Sequence, residues 1–218
     1  MFGFGDPDRT DITIVLDRSG SMQSVHRQTV EGFQTFVDKQ RQLSGDCRLT
    51  LIQFDTMYEV VYSNRPIHKT GPLDLRPRGA TALLDAMGRA IQETTARIAS
   101  TWTMSKPSRV LFVIITDGLE NSSREFTSSQ VFDMVRHQSD QCDWQFLFLG
   151  ANQDAIREAG NMGIRADAAM TYSPGIRGTM HAWEAAGEAV VRHRRSPSPK
   201  VQGTYFTPEE RKNAGNGD

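Results

Sequence analysis

Ile12-Thr13-Ile14-Val15-Leu16-Asp17-Arg18-Ser19-Gly20-Ser21 is an apolar strand that ends in a carboxylate, with hydroxyls two and four residues further on. A helical pattern follows over residues 22–43, where Met22, Val25, Thr29, Phe33, Phe36 and Val37 recur at three- and four-residue steps. The turn from strand to helix can aim Asp17, Ser19 and Ser21 at one spot above the strand's carboxyl end. Three hard oxygen donors without Cys or His suit a hard cation such as Mg²⁺.

A second strand of the same kind lies near the middle of the chain. Residues 109–116 read Arg-Val-Leu-Phe-Val-Ile-Ile-Thr, apolar on both faces, as expected at the centre of a parallel sheet. This run also ends in a carboxylate, at Asp117-Gly118. Between the two lies a strand over 47–54, a tight turn at Asp55-Thr56, and a returning strand over 58–62. So short a turn forces antiparallel pairing, which puts 58–62 at a sheet edge. Residues 63–80, with Pro66, Pro72, Pro77, Gly71 and Gly79, read as a long functional loop. It ends at Gly79-Ala80-Thr81, where a helix with Leu84, Met87, Ile91, Thr94 and Ile98 begins. Beyond Asp117 come a helix capped by Ser128 or Ser129, a strand over 143–149 and a helix over 151–159. A weak strand over 168–172 and a helix over 177–194 complete the pattern.

This order predicts an α/β fold: a doubly wound, Rossmann-like, mostly parallel six-stranded sheet with one antiparallel edge strand and helices on both faces. Residues 1–10 read as an N-terminal extension, 11–195 as the domain and 196–218 as a flexible C-terminal tail. In such a sheet ligands bind beyond the strands' carboxyl ends, where the strand order reverses. Here Asp17 and Asp117 would face each other across that crevice.

The chain has 218 residues and a formal net charge of -1, so nothing pulls it toward nucleic acid or acidic membranes. Arg192, His193, Arg194 and Arg195 read as a solvated helix end, favoured by the helix dipole. No basic segment followed by a long apolar one opens the chain, and no apolar run is long enough to span a bilayer. The reading is of a cytoplasmic protein, or one carried within a phage particle. Cys47 and Cys142 each open an apolar run and read as buried strand residues with reduced thiols. Three strand spacings, about 14 Å, would separate them, against the roughly 7 Å a disulfide allows.

Collected along the chain, the oxygens form Asp-x-Ser-x-Ser (Asp17, Ser19, Ser21), then Thr81 after Gly-Ala, then Asp117 in Thr-Asp-Gly. This pattern resembles the metal-ion-dependent adhesion site of von Willebrand factor A domains, over roughly residues 10–195. The overall look is of a small stand-alone domain from a bacterium or its phage. The resemblance implies that Ser19, Ser21 and Thr81 coordinate Mg²⁺ or Mn²⁺, with Asp17 and Asp117 acting through water. Ala80 stands where many members have a second glycine. Arg18 falls at a variable position, free to clamp a partner or to point outward.

Each residue also has a plainer role open to it. Asp17 and Asp117 could serve turns, and Ser19, Ser21 and Thr81 could cap helices. All five matching one template argues against that. Asp55, Asp85 and Glu120 read as loop or capping residues, and the five histidines are scattered without ligand spacing. The expected function is a metal-dependent protein-binding module whose partner presents an Asp or Glu, with no nucleic-acid or membrane role and no enzyme activity. A Mg²⁺-dependent phosphatase or hydrolase and a scaffold stabilised by its metal are the alternatives. A nucleophile elbow, a phosphate-binding loop and a dinucleotide fingerprint are all missing from the sequence.

Overall fold

Six apolar runs form six strands, joined by segments whose periodicity makes them helices. The computed structural model describes residues 6–151, 154–198, 200 and 205–215. The strands are β1 (Asp6–Asp17), β2 (Cys47–Phe54), β3 (Tyr58–Pro66), β4 (Pro107–Thr116), β5 (Gln145–Ala151) and β6 (Ala169–Tyr172). The helices are α1 (His26–Arg41), α2 (Leu83–Ser100), α3 (Ser128–Cys142), α4 (Ala155–Asn161), α5 (Ile176–Arg195) and α6 (Pro208–Gly215).

The sheet order is β3-β2-β1-β4-β5-β6, with every neighbouring pair parallel except β2 and β3. The strand order therefore reverses between β1 and β4, the two strands that end in carboxylates. Both are buried along their apolar lengths because helices cover both faces. Right-handed crossovers put α1 on one face and α2, α3 and α4 on the other. α5 returns to lie against α1.

That α1–α5 contact explains a glycine in mid-helix. A Cβ on Gly32 would stand 2.4 Å from the Trp183 ring, so only glycine lets the two helices approach this closely. Phe33 and Phe36 meet the same indole edge-on, with centroids 6.0 and 6.1 Å away.

Several boundaries differ from those read in the sequence. β1 begins at Asp6, so part of the expected N-terminal extension belongs to the sheet. A 3-10 segment, Gly20–Val25, precedes α1, which starts only at His26. Cys47 is buried on β2, whereas Cys142 is exposed at the end of α3 and not in a strand. The apolar run after it starts two residues too late to enclose it.

The expected tail differs most. Tyr205 and Phe206 are buried, and α6 packs on α5 and β6. Arg211 donates to the carbonyls of Ala169 (2.5 Å) and Asp167 (3.0 Å), and Ser173 N–H donates to the Ala214 carbonyl at 2.9 Å. The remaining residues of the expected tail include 199, 201–204 and 216–218, which lie outside the described residues. Among the described residues no helix is long and apolar enough to cross a membrane.

Candidate metal centre

The register of the two central strands builds the site. Leu16 pairs with Ile115, which sets Asp17 beside Thr116 at the carboxyl end of the sheet. Asp17 is fully buried there. Its Oδ2 accepts the Thr116 hydroxyl at 2.6 Å, and its Oδ1 accepts the Ser19 N–H at 2.6 Å. The turn then brings the Ser19 and Ser21 hydroxyls within 3.0 Å of each other, and Ser21 Oγ donates to Asp117 Oδ1 at 2.6 Å. Thr81 arrives from the long loop. Asn121 holds it by accepting its N–H (2.9 Å) and donating a backbone N–H to its carbonyl (3.0 Å).

Gly118 marks the middle of the group. A Cβ there would lie 2.8 Å from Thr81 Oγ1 and 3.7 Å from both Asp17 Oδ2 and Ser19 Oγ. The structure thus brings Asp17, Ser19, Ser21, Thr81 and Asp117 around one spot, and a side chain on Gly118 would fill it.

The electrostatics follow from burying two carboxyls together. Burial pushes Asp17 up to about 6; hydrogen bonds from Thr116 and Ser19 oppose the rise, and the charge of Asp117 adds to it. Burial likewise raises Asp117, against the hydrogen bond from Ser21. Each carboxyl is costly to ionise without a nearby cation, and a divalent ion would reverse that cost.

The donor set fits a hard divalent cation. It offers neutral hydroxyls and two carboxylates, the chemistry preferred by Mg²⁺ and Mn²⁺ over softer metals. Among the described residues no group of three or more His, Cys, Asp or Glu gathers.

Sequence reasoning gave no supporting role to Thr116, Gly118 or Asn121, whereas Asp85 and Glu120 are the loop and capping residues it expected. Thr116, Gly118 and Asn121 each touch a candidate ligand. Glu120 accepts the N–H groups of Leu84 (2.9 Å) and Ser123 (2.8 Å), and Asp85 accepts those of Arg124, Glu125 and Phe126. These two carboxylates pin the loop after β4 to the start of α2. Asp85 is held below the ordinary carboxylate range, because those three N–H bonds and Arg89 outweigh the effect of burial.

Arg18 neither points outward nor awaits a partner. It is buried, with Nε 2.9 Å from Asp55 Oδ2 and a terminal nitrogen on Glu59. The start of α1 at His26 also keeps its dipole away from the site. The full α-helical N-terminus opens at His26, five residues beyond Ser21, and only the 3-10 turn adjoins the site.

No protein-family profile matches the chain, and no curated protein matches it in sequence. Solved structures do match in shape. The von Willebrand factor domain of the type V pili tip protein Mfa5 from Porphyromonas gingivalis aligns with a TM-score of 0.60 at 11% identity, over 90% of this chain and 98% of that one. A von Willebrand factor type A protein from Catenulispora acidiphila aligns with a TM-score of 0.54 at 16% identity, over 83% of this chain and 42% of that one. Proximal thread matrix protein 1 from the mussel byssus, solved with a zinc-occupied MIDAS motif, gives 0.50 at 15% identity, over 78% and 42%. This chain spans less than half the length of the Catenulispora and mussel proteins. The strand order, the single antiparallel edge and these alignments agree on one architecture: the chain has the von Willebrand factor A fold.

Proposed function

We propose that the chain is a metal-dependent protein-binding module of the cytoplasm or of a phage particle, and not an enzyme. The observation that carries this reading is the convergence of Asp17, Ser19, Ser21, Thr81 and Asp117 around Gly118, where the sheet order reverses. Ser19, Ser21 and Thr81 would hold Mg²⁺ or Mn²⁺, and Asp17 and Asp117 would supply the balancing charge.

Ser19, Ser21 and Thr81 are neutral ligands and would leave a bound Mg²⁺ electron-poor, so that it would take one more anionic oxygen, such as that of a partner's Asp or Glu. The residues of the chain prepare that step. Thr116 and the Ser19 N–H fix the orientation of the Asp17 carboxylate. Asn121 holds Thr81 in place from behind. Burial of Asp17 and Asp117 keeps the local dielectric low, so a charge-assisted contact made there is strong. The zinc-occupied motif of the mussel protein supports divalent-ion binding at this place in the fold.

Asp117→Ala tests the reading. Calorimetric titration with Mn²⁺ and pull-down from host lysate should both fail for the variant, while its circular dichroism stays that of wild type. Wild-type binding that survives chelator, or a variant that binds normally, would place recognition on another surface.

A further inference from the structure

Asp55 follows the last residue of β2 and is 1% exposed. Its Oδ2 accepts two guanidinium N–H groups, from Arg18 Nε and Arg78 Nε, each at 2.9 Å. Its Oδ1 accepts the Met57 N–H at 2.6 Å, and its carbonyl accepts the Ala82 N–H at 3.1 Å. The positions of those two arginines matter. Arg18 lies between Asp17 and Ser19, and Arg78 lies three residues before Thr81. One carboxylate oxygen therefore joins the turn that carries Ser19 and Ser21 to the loop that carries Thr81. Two backbone bonds run along the same seam: Arg78 N–H to the Arg18 carbonyl (2.8 Å) and Gly20 N–H to the Gly79 carbonyl (3.2 Å).

We propose that Asp55 is the positioning residue of the metal centre: through Arg18 and Arg78 it sets the gap between the serine turn and Thr81. The inference rests on the metal-binding reading above. The carboxylate screens two adjacent guanidiniums from each other. Without its charge they repel each other, and among the described residues buried Arg18 keeps Glu59, a half-exposed partner. Leaving one half of a buried ion pair uncompensated is strongly unfavourable, and the seam relaxes by opening. Mg²⁺ demands near-octahedral geometry at about 2.0–2.1 Å, whereas Ca²⁺ accepts about 2.3–2.6 Å and flexible coordination. A slightly wider gap therefore penalises Mg²⁺ more than Ca²⁺, which general destabilisation of the fold would not do.

The test is calorimetric titration of the full chain with Mg²⁺ and with Ca²⁺, beside thermal melts. Asp55→Asn should weaken Mg²⁺ binding by about tenfold or more, the usual effect of removing an outer-shell partner, and shift the Mg²⁺/Ca²⁺ ratio toward Ca²⁺. Arg78→Met should move both in the same direction with little change in melting temperature, since the Arg78 side chain is 60% exposed. It thus keeps the test decisive should Asp55→Asn fold poorly. Phe206→Ala, at the far edge of the sheet, should lower the melting temperature and leave metal affinity alone. Wild-type Mg²⁺ affinity and selectivity in Asp55→Asn or in Arg78→Met would overturn the proposal. If Asp117→Ala loses Mg²⁺ while both of these variants keep it, the metal reading stands and the positioning role falls. If wild type binds neither ion, both fall together.

Discussion

Single atoms decide how tightly the candidate site can close. Gly118 is the clearest case, because its missing Cβ leaves room for Thr81 Oγ1. Thr81 is buried and β-branched, so it cannot easily rotate away. Gly118→Ala should fold normally yet weaken Mn²⁺ binding by about tenfold or more, the range seen when support around a metal is disturbed, as read by calorimetry. Asp17 carries a pH signature. Without a cation it holds its proton up to about 6, against 3.8 for an ordinary Asp. Between those values the folded state binds more protons than the unfolded state, so this group's contribution to stability falls as pH rises. Buried His193, pushed down to about 4 by burial and then by Arg109, acts in the opposite sense: its contribution is full above about 6.5 and shrinks as pH drops toward 4. The Asp17 effect is therefore isolated by comparison with Asp17→Asn. In chelator, the melting temperature of wild type relative to that variant should decline from pH 4 to pH 6, and saturating Mg²⁺ should remove the decline. The ligand candidates were legible because they follow a fixed spacing. Asp55 was not, because a buried carboxylate that clamps two arginines looks in sequence like any aspartate in a tight turn.

At the scale of elements, periodicity exposed whatever repeats and composition hid the rest. The apolar stretches of β1, β4 and α2 lie where their patterns put them, although β1 starts earlier, at Asp6. α6 escaped because within the helix only Ala214 is buried. Its anchors, Tyr205 and Phe206, precede it in a stretch dominated by Pro, Gly, Asn and charge. Averaged over such a window, two aromatic side chains do not raise the hydropathy. The anchoring is nonetheless substantial. Phe206 is fully buried, Arg192 bridges Glu210 (2.8 Å) and the Tyr205 carbonyl (2.5 Å), and Tyr205 donates its hydroxyl to Gln145 at the start of β5. Truncating a buried Phe to Ala costs about 3–5 kcal/mol. For a domain of this size each kcal/mol lowers the melting temperature by about 2–4 °C, so Phe206→Ala should lower it by roughly 6–20 °C. Deletion of residues 196–218, read from sequence as a flexible tail, should do at least as much. A melt of either variant that overlays wild type would mean that α6 is not held in solution.

For the whole molecule, the sheet order follows from chain order and handedness, and it governs the thiols. Cys47 sits on β2 and Cys142 ends the helix that leads into β5, with β1 and β4 between. The strand-spacing argument from sequence does not apply to Cys142, which is exposed at a helix end, but both cysteines are free. Burial pushes the Cys47 thiol up to about 11 and also raises Cys142, but only Cys142 meets solvent. Iodoacetamide should therefore label Cys142 in the native protein and reach Cys47 only after unfolding, and a non-reducing peptide map should show both unpaired. The direction of the strands has one further consequence, for handling the molecule. β1 enters the sheet at the pole opposite the five candidate ligands, whereas α6 ends where the Gly215 carbonyl accepts the Ser173 hydroxyl, just past β6 and thus at the ligand pole. A chain anchored to a bead or sensor chip through its amino terminus presents the crevice to the medium. An anchor at the carboxyl terminus turns that same face toward the support, so the choice of tether decides whether a partner can reach it.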